Sequence, residues 1–186
     1  MKLDMHYYGD PVLRAPAARV EAVTDELRQL AAAMIEAMHT ENGVGLAAPQ
    51  IGRSVALCVV ELPVDYDTTE DGRRLNPDVE MPLVLINPEI VSIGRKTDVH
   101  EEGCLSFPGL RGNIERPIDI TVRYLGLDGQ PRARAFTDFL ARVIQHEVDH
   151  LNGVLFIDRM SAAKRFALKG RLRKLENETR ERLGLA

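Results

Sequence analysis

The residues with the clearest chemical potential lie in the run QHEVDH at positions 145–150, which contains the pattern H-E-x-x-H. On a helix, residues four apart face the same side, so His146 and His150 can bind one metal ion together. Glu147 can reach over an open coordination position and handle the proton of a bound water molecule. Two histidines and a glutamate are costly to bury among apolar neighbours without partners. The pattern therefore favours a metal site over a purely structural pair.

A catalytic site of this kind needs a third protein ligand and keeps one position open. No histidine follows His150, and the glutamates further along lie in a charged segment that is typical of a solvated helix. Upstream, Cys104 lies in the run EGCLS at residues 102–106 and offers a soft thiolate ligand. We therefore predict a metal site of Cys104, His146 and His150. The second cysteine, Cys58, lies in an apolar run and is interpreted as a buried core residue.

The elements around these residues must position them. Apolar residues at helical spacing predict helices over residues 25–40, 137–151 and 161–182, the first with Thr24 as its N-cap. Strands are predicted over 55–62, 83–86, 89–93, 118–124 and 132–136, and the polar segment 63–82 is predicted to be an exposed loop. The pattern predicts an α+β fold in which antiparallel or mixed β-sheets surround a central metal-binding helix, with an N-terminal and a C-terminal helix.

Composition narrows the function classes. The chain has 186 residues, of which 45% are hydrophobic and 28% charged, so it suits one globular domain with an extension. Aromatic residues make up 5% and Trp is absent, which argues against a stacking surface for single-stranded nucleic acid. Two cysteines do not suggest a disulfide scaffold. The sequence shows neither a signal-peptide pattern nor an apolar membrane span, so we expect a cytoplasmic protein with no membrane partner.

The formal net charge of -4 is unevenly distributed. Residues 161–186 hold eight Lys/Arg and three Asp/Glu, a local +5, whereas residues 1–160 carry a local -9. The sequence therefore predicts an acidic body at 1–160 and a basic helical extension at 161–186. The narrow apolar stripe of this extension contains Phe166, Leu168, Leu172, Leu175 and Leu183. One interpretation is a solvated helix docked by its leucines, and the other is a basic helix that meets a polyanion.

Three segments together resemble the peptide deformylase family. They are GVGLAAPQ at 43–50, EGCLS at 102–106 and QHEVDH at 145–150, in the order and approximate spacing of the family's motifs. The run YGDPVLR at 8–14 and the run LNGVLF at 151–156 are also similar to family segments. The resemblance covers roughly residues 5 to 160. It implies a metal-dependent amidohydrolase that removes the formyl group from the N-terminal formyl-methionine of nascent polypeptides.

The resemblance also implies a role for individual residues. Cys104, His146 and His150 would bind the metal, and Glu147 would act as general base and then as general acid. The Gln50 amide and the Leu105 backbone N–H would stabilise the oxyanion. Gly45 would hydrogen-bond the substrate backbone, and Gly43 and Gly45 would let that backbone approach closely. Val44 and Val143 would line the pocket for the methionine side chain, and Arg111 would lie at an outer subsite.

The metal and the partners follow from the same resemblance. It implies Fe²⁺ as the physiological ion, one per chain, although Zn²⁺, Ni²⁺ or Co²⁺ can occupy the site and Zn²⁺ binds such donors more tightly. It implies that the basic C-terminal helix meets the ribosome. We expect the protein to be a monomer. Asp138 stands where many family members have Gly, and we expect it to serve as a helix N-cap.

Two other functions are compatible with single motifs. An H-E-x-x-H metallopeptidase would cut internal peptide bonds, but the missing downstream ligand and the setting of Cys104 argue against it. A metal-stabilised binding protein without turnover is the other alternative. The presence of both Glu147 and Gln50 argues against that function, since a degraded site usually loses its base first.

Overall fold

A computed structural model describes residues 3–185 of the chain. Its main sheet has five antiparallel strands in the order β1-β2-β3-β6-β7. These strands are β1 (Gly45–Ala47), β2 (Leu57–Val60), β3 (Leu83–Ile93), β6 (Asp119–Leu125) and β7 (Pro131–Thr137). A separate antiparallel hairpin consists of β4 (Thr97–Gly103) and β5 (Arg111–Pro117). The helices are α1 (Asp25–Thr40), α2 (Asp138–Leu151), α3 (Ala162–Ala167) and α4 (Lys169–Arg182), which confirms the predicted α+β fold.

The main sheet is covered by α1 on one face and by α2 on the other. Along β2 the side chains alternate, as they must in a strand. Leu57 and Val59 pack with α1, whereas Cys58 and Val60 pack with α2. Every residue of α2 from Leu140 to Leu151 is buried, so the helix that carries the H-E-x-x-H pattern is a central core element. The interpretation of Cys58 as a core residue is confirmed by its full burial.

The predicted bounds of α1 and the cap at Thr24 are confirmed, since the Thr24 side chain accepts a hydrogen bond from Leu27 N. One strand prediction is wrong. The segments 83–86 and 89–93 form a single strand, β3, with a register shift between Ile86 and Glu89. Asn87 has a φ of 51°. Its side chain accepts a hydrogen bond from Val20 N and donates one to Val20 O, both at 2.8 Å. The strand therefore bulges at this point but continues beyond it.

The segment 63–82 is wrongly predicted to be exposed throughout. It contains a short 3₁₀ turn at Val64–Asp67, and Asp67, Asn76 and Val79 are buried. The Asp67 carboxylate accepts hydrogen bonds from Arg74 Nε at 2.8 Å and from Asn76 Nδ2 at 2.6 Å. A carboxylate can be buried here because its charge is paired and hydrogen-bonded.

The C-terminal extension is two helices, with a junction at Leu168, and not the single helix predicted over 161–182. Leu172 is buried in the apolar cluster that also contains Leu13 and Phe156, so α4 is docked on the body. Phe166, a predicted member of the apolar stripe, is 74% exposed. Within residues 3–185, no helix is both long and apolar enough to cross a membrane.

The N-terminal segment forms a strap over two loops of the body. His6 N donates to Gln50 O at 2.8 Å, and Tyr8 N donates to Ser106 O at 2.9 Å. Gly9 follows with a φ of 108° and lies so close to α4 that a Cβ atom would be 2.7 Å from Glu176 O. The segment therefore joins α4 to the two loops.

The start of α2 differs from the prediction. Thr137 occupies the N-cap position, and Asp138 is the first helical residue, with a φ of 57°. Only Gly adopts this left-handed conformation without strain, although Asp tolerates it better than most residues. The conformation gives a physical reason for a glycine at this position.

This geometry predicts an unusual order of stability at position 138. Ala is normally preferred over Gly within a helix, but Ala would be strained at this φ. We expect Asp138→Gly to exceed Asp138→Ala by about 1 kcal/mol in the free energy of unfolding. Urea denaturation of the two variants measures the difference. A more stable alanine variant would contradict the left-handed assignment.

Candidate metal centre

Three potential ligands meet where α2 passes the end of the β4–β5 hairpin. Cys104 follows the last residue of β4, and His146 and His150 project from successive turns of α2. Their donor atoms all lie within 4.8 Å of one another, and Cys104 Sγ is 3.2 Å from His150 Nε2. Metal–sulfur and metal–nitrogen bonds of about 2.3 and 2.1 Å place donors of a tetrahedral site about 3.5 Å apart. The thiolate and imidazole donors therefore fit one divalent ion.

The ring of His146 is oriented by a buried acid. Its Nδ1 is 3.0 Å from Glu102 Oε2, which leaves Nε2 for a ligand. Glu102 also accepts hydrogen bonds from Arg116 Nε at 2.7 Å, Arg116 Nη2 at 3.0 Å and Arg142 Nη1 at 2.7 Å. Burial alone would favour the neutral acid, but the hydrogen bonds from His146 and Arg116 outweigh it and hold the pKa of Glu102 well below its usual range.

The same arginine joins the hairpin to α2. Arg116 is 4% exposed and also donates to Asp149 Oδ2 at 2.8 Å, and Arg159 Nη2 donates to Asp149 Oδ1 at 2.6 Å. Glu102 and Asp149 are therefore buried acids held by two or more arginine contacts each. The sequence alone indicates no role for Glu102, Arg116 or Asp149. The one available signal was that Glu102 lies two residues before Cys104 and Asp149 lies between the two histidines.

Glu147 is 3% exposed, and its Oε2 has no hydrogen-bond partner within residues 3–185. Burial raises the pKa of Glu147 to about 7, although the positive charges of His146 and Arg116 oppose the shift. A carboxyl group that titrates near neutrality can both accept and return a proton. The unpartnered oxygen and the raised pKa therefore suit Glu147 for proton transfer.

His150 is also buried, and its Nδ1 lacks a hydrogen-bond partner in the described part of the chain. Burial lowers the pKa of His150 well below its usual value, and the positive charges of His146 and Arg116 act in the same direction. The imidazole is therefore neutral, which is the form that binds a metal ion. The unpartnered Glu147 Oε2, next to three donor atoms, is the expected signature of a site built for a further group.

The Gln50 side chain is fixed beside the thiol. Gln50 is 1% exposed, and its Oε1 accepts a hydrogen bond from Ala47 N at 2.8 Å. This bond directs Nε2 toward Cys104 Sγ at 3.5 Å and Ser106 Oγ at 3.3 Å. Leu105, the next residue after Cys104, belongs to the same turn. The structure thus brings an amide donor to the cluster of Cys104, His146 and His150.

The glycine loop lies directly on α2 and the Cys104 turn. A Cβ atom at Gly45 would be 2.3 Å from Glu147 Oε1 and 2.9 Å from Val143 Cγ1. A Cβ atom at Gly43 would be 2.9 Å from a methyl group of Leu105. Close approach of Glu147 and of the stiff Val143 side chain therefore restricts position 45 to glycine, whereas at position 43 the Leu105 methyl is the end of a flexible side chain that can shift. Val44, between them, is half-buried against the apolar cluster that contains Val143.

Arg111 differs from these residues because its side chain is exposed to solvent. It begins β5, opposite Gly103 in the hairpin register, and its side chain is 68% exposed. Its guanidinium lies 3.8 Å from Glu101, another exposed residue. The structure therefore brings the other ten predicted site residues together and leaves Arg111 on the rim.

The two thiols should differ sharply in reactivity. Burial raises the pKa of Cys58 well above its usual value, with a smaller contribution from the charge of Glu147, whereas Cys104 is partly exposed. In protein treated with a chelator, we expect a thiol reagent to modify Cys104 and leave Cys58 unmodified. Protein loaded with Zn²⁺ should lose this reactivity.

Mass spectrometry of the labelled peptides checks the expectation, with Cys104→Ser as the unreactive control. Rapid modification of Cys58 in folded protein, or equal labelling of Cys104 with and without Zn²⁺, would contradict it.

An α+β fold with a Cys/His/His donor group, an adjacent buried carboxyl and a fixed amide donor defines a metal-dependent hydrolase. The family model for polypeptide deformylase matches residues 2–166. The chain belongs to the polypeptide deformylase family.

Individual relatives extend the match over most of the chain. The peptide deformylase of Opitutus terrae is 48% identical over 185 residues, which cover 97% of this chain and 96% of that protein. The peptide deformylase of Synechocystis sp. is 46% identical over 158 residues, 85% of this chain and 79% of that protein. The match to the first relative thus covers more of the chain than the match to the second.

Solved structures agree with the fold. The peptide deformylase of Synechococcus elongatus in complex with actinonin is 41% identical, with a TM-score of 0.76 and coverage of 99% of this chain and 87% of that chain. The peptide deformylase of Ehrlichia chaffeensis is 34% identical, with a TM-score of 0.83 and coverage of 99% of each chain. The likeness spans both the sheets and the helices.

Proposed function

We propose that this protein removes the formyl group from the formyl-methionine at the N-terminus of nascent polypeptides. The observation that carries the proposal is the convergence of the Cys104, His146 and His150 donor atoms with Gln50 Nε2, beside the buried Glu147. A formamide carbonyl that becomes tetrahedral needs a donor for its oxygen and a group that moves protons. The membership in the polypeptide deformylase family supports the same reaction.

Cys104, His146 and His150 would hold the metal ion. Such an ion, when bound, supplies a Lewis acid and makes a water molecule acidic enough to react near neutral pH. We propose Fe²⁺ as the ion in the cell, with Zn²⁺, Ni²⁺ or Co²⁺ as possible occupants. The mixed thiolate and imidazole donors suit all of these ions, so the availability of each ion decides which is bound. Metal analysis of protein purified without oxygen tests this assignment.

The residues of the chain then divide the remaining work. Glu147 would take a proton from the attacking water and deliver it to the departing amine of the methionine. The Gln50 amide and the Leu105 backbone N–H would donate hydrogen bonds to the developing oxyanion, and one such donor is typically worth about 10²–10³ in rate. Because Gly45 lies directly on Glu147, a substrate backbone hydrogen-bonded at Gly45 would place its formyl group at the carboxyl.

The other contacts concern the substrate side chains. Val44 and Val143 would line the pocket for the methionine side chain, since both belong to the apolar surface beside Gly45. Gly43 would allow the substrate backbone to approach the loop closely. Arg111 would meet residues further along the peptide, because its guanidinium is exposed on the rim.

A direct assay tests the proposal. Metal-loaded protein prepared without oxygen should release formate from formyl-Met-Ala-Ser and should release nothing from acetyl-Met-Ala-Ser, because the acetyl group carries a methyl in place of the formyl hydrogen. Mass spectrometry of the products separates this reaction from the cleavage of an internal peptide bond. A metal-bound protein that releases no formate would falsify the proposal.

We further propose that residues 1–160 are the catalytic body and that residues 161–186 meet the ribosome. All the site residues come from one chain, so the proposal requires only a monomer, and it places the protein in the cytoplasm, where nascent chains emerge. The side chains of Lys164, Lys169 and Arg173 support a polyanion contact, since all three are exposed and none is in an ion pair within residues 3–185. Deletion of the tail is a poor test because it would uncover the buried contacts of Leu172.

Charge reversal tests the ribosome contact more cleanly. In the triple variant Lys164→Glu, Lys169→Glu and Arg173→Glu, we expect weaker ribosome binding at low salt. The slope of log affinity against log salt should fall by about two to three, because about one counterion is released per phosphate contact. Hydrolysis of formyl-Met-Ala-Ser should not change. The matched control is Lys96→Glu on the body, and an unchanged affinity in the triple variant would overturn the contact.

A further inference from the structure

Two exposed apolar residues lie on the segment between β2 and β3. Val64 is 65% exposed and Tyr66 is 58% exposed, whereas Leu62, Val79 and Met81 of the same segment are buried or half-buried. The Tyr66 ring packs on the ring of Phe139, with a centroid separation of 5.3 Å and an interplanar angle of 34°. Phe139 belongs to the first turn of α2 and is half-buried against the apolar cluster that contains Val143.

The position of Phe139 on α2 relates this aromatic pair to the site. Phe139, Val143 and Glu147 are spaced four residues apart and therefore lie along one face of the helix. At a rise of 1.5 Å per residue, Phe139 lies about 6 Å from Val143 and about 12 Å from Glu147 along the axis. Gly45 covers the part of this face at Val143 and Glu147. The part of this helix face that Gly45 leaves uncovered, from Val143 to Phe139, is about as long as one long, extended amino-acid side chain.

The segment holds Tyr66 in place. The neighbouring Asp67 is 2% exposed and accepts hydrogen bonds from Arg74 and Asn76. Asn76 in turn accepts from Thr137 N at 3.0 Å and donates to Thr137 O at 3.3 Å, which is the residue before α2. The backbone next to Tyr66 is therefore anchored to the residue from which α2 starts, and the ring itself is held by its contact with Phe139.

We propose that Tyr66 determines substrate specificity, because its ring closes the far end of the pocket that receives the side chain of the formylated residue. This inference rests on the proposed deformylase function. Val44 and Val143 form the walls nearest the reacting group, and the Tyr66–Phe139 pair closes the end. The pocket accepts an unbranched side chain of methionine length and excludes longer ones, because the anchored ring cannot swing aside without losing its contact with Phe139.

The test compares two formyl peptides that differ only in the length of a linear alkyl side chain. The first is formyl-norleucyl-Ala-Ser, which matches methionine in length, and the second is formyl-2-aminodecanoyl-Ala-Ser, which is four carbons longer. In Tyr66→Ala, the ratio of kcat/KM for the long peptide to kcat/KM for the short one should rise about tenfold or more over wild type. Tyr66→Phe keeps the ring and should keep the wild-type ratio.

The control is Phe166→Ala, which removes an exposed aromatic from α3, on the C-terminal extension. It should leave the ratio unchanged. Phe139→Leu trims the same wall from the helix side and should raise the ratio, which keeps the test decisive if Tyr66→Ala does not fold. Thermal melting checks the fold of each variant.

An equal loss of kcat/KM for both peptides would mean that Tyr66 only supports the structure, and that result overturns the inference. If wild-type protein releases formate and the ratio is unchanged in both Tyr66→Ala and Phe139→Leu, the inference fails while the deformylase function stands. If wild-type protein releases no formate from either peptide or from formyl-Met-Ala-Ser, the deformylase function fails, and the inference fails with it.

Discussion

Replacement of Glu147 by glutamine is expected to lower kcat/KM for formyl-Met-Ala-Ser by about 10³- to 10⁴-fold, at the upper end of the range for general acid–base catalysis. The carboxyl is buried, its Oε2 is unpartnered within residues 3–185, and its pKa of about 7 allows it to gain and lose a proton. Glutamine has the same shape but cannot transfer the proton. Glu147 is not one of the three predicted ligands, so the metal content should remain near wild type.

Formate release and metal analysis measure the two effects separately. Glu80→Gln is the matched control, since Glu80 is exposed and lies outside the site. Because the change removes a buried acid with an unsatisfied oxygen, we also expect Glu147→Gln to unfold at an equal or higher temperature than wild type. Activity within tenfold of wild type would remove Glu147 from its proposed role.

The second large effect is expected at Glu102. Glu102→Ala leaves Arg116 and Arg142 buried without their shared acid and leaves His146 Nδ1 without its acceptor. Removal of one partner from a buried ion pair costs about 3–5 kcal/mol when the opposite charge is left alone. Because Arg116 keeps its contact with Asp149 and Arg142 keeps its contact with Asp98, we expect a loss of about 3 kcal/mol, at the lower end of this range. The affinity for the metal should also fall by about 10- to 100-fold, which is typical when the residue that orients a histidine ligand is lost.

Urea denaturation of metal-free protein gives the stability, and competition with a chelator for Zn²⁺ gives the affinity. Glu102→Gln keeps part of the hydrogen bonding and should be less damaging than Glu102→Ala in both measurements. Glu89→Ala, which breaks an exposed ion pair with Arg123, is the surface control and should cost less than about 1 kcal/mol. A Glu102→Ala variant with wild-type Zn²⁺ affinity would show that His146 does not need this orientation.

Local patterns in the sequence identify the elements that carry strong signals of their own. The apolar spacing of α1 and its cap at Thr24 predict both ends of the helix, and the strand predicted over 118–124 is displaced by only one residue from β6. The pattern of two histidines and a glutamate on α2 is also local, so the sequence brings His146, Glu147 and His150 together without any knowledge of the fold. The assignment of Cys104 as the third metal ligand rests on the absence of other candidate ligands in the sequence and on family resemblance.

The missed features depend on partners that are distant in the sequence. Arg116 is 14 residues from Glu102 and 33 from Asp149. Its pair with Glu102 appears only when β4 and β5 form the hairpin, and its pair with Asp149 appears only when that hairpin docks on α2. The strand β4 reads TDVHEEG, in which few apolar residues reveal a period. From the sequence, Asp67 is interpreted as a surface charge. Only the fold shows that Arg74 and Asn76 surround its carboxylate. Acids that will be paired and acids that will be solvated look the same in a sequence.

The strap at residues 6–9 has a practical consequence for protein engineering. Its backbone N–H groups hold the carbonyls of Gln50 and Ser106, which flank the amide donor and the thiol of the site. We expect a purification tag or a fluorescent protein fused immediately before this segment to disturb the loops that position the Gln50 amide and the Cys104 thiol. A fusion after Leu185 would avoid the strap, because the last residues of α4 and its C-cap, Leu183, are exposed. Enzyme that is immobilised for assays on small formyl peptides should therefore be attached through that end, whereas ribosome-binding measurements need the C-terminal extension free.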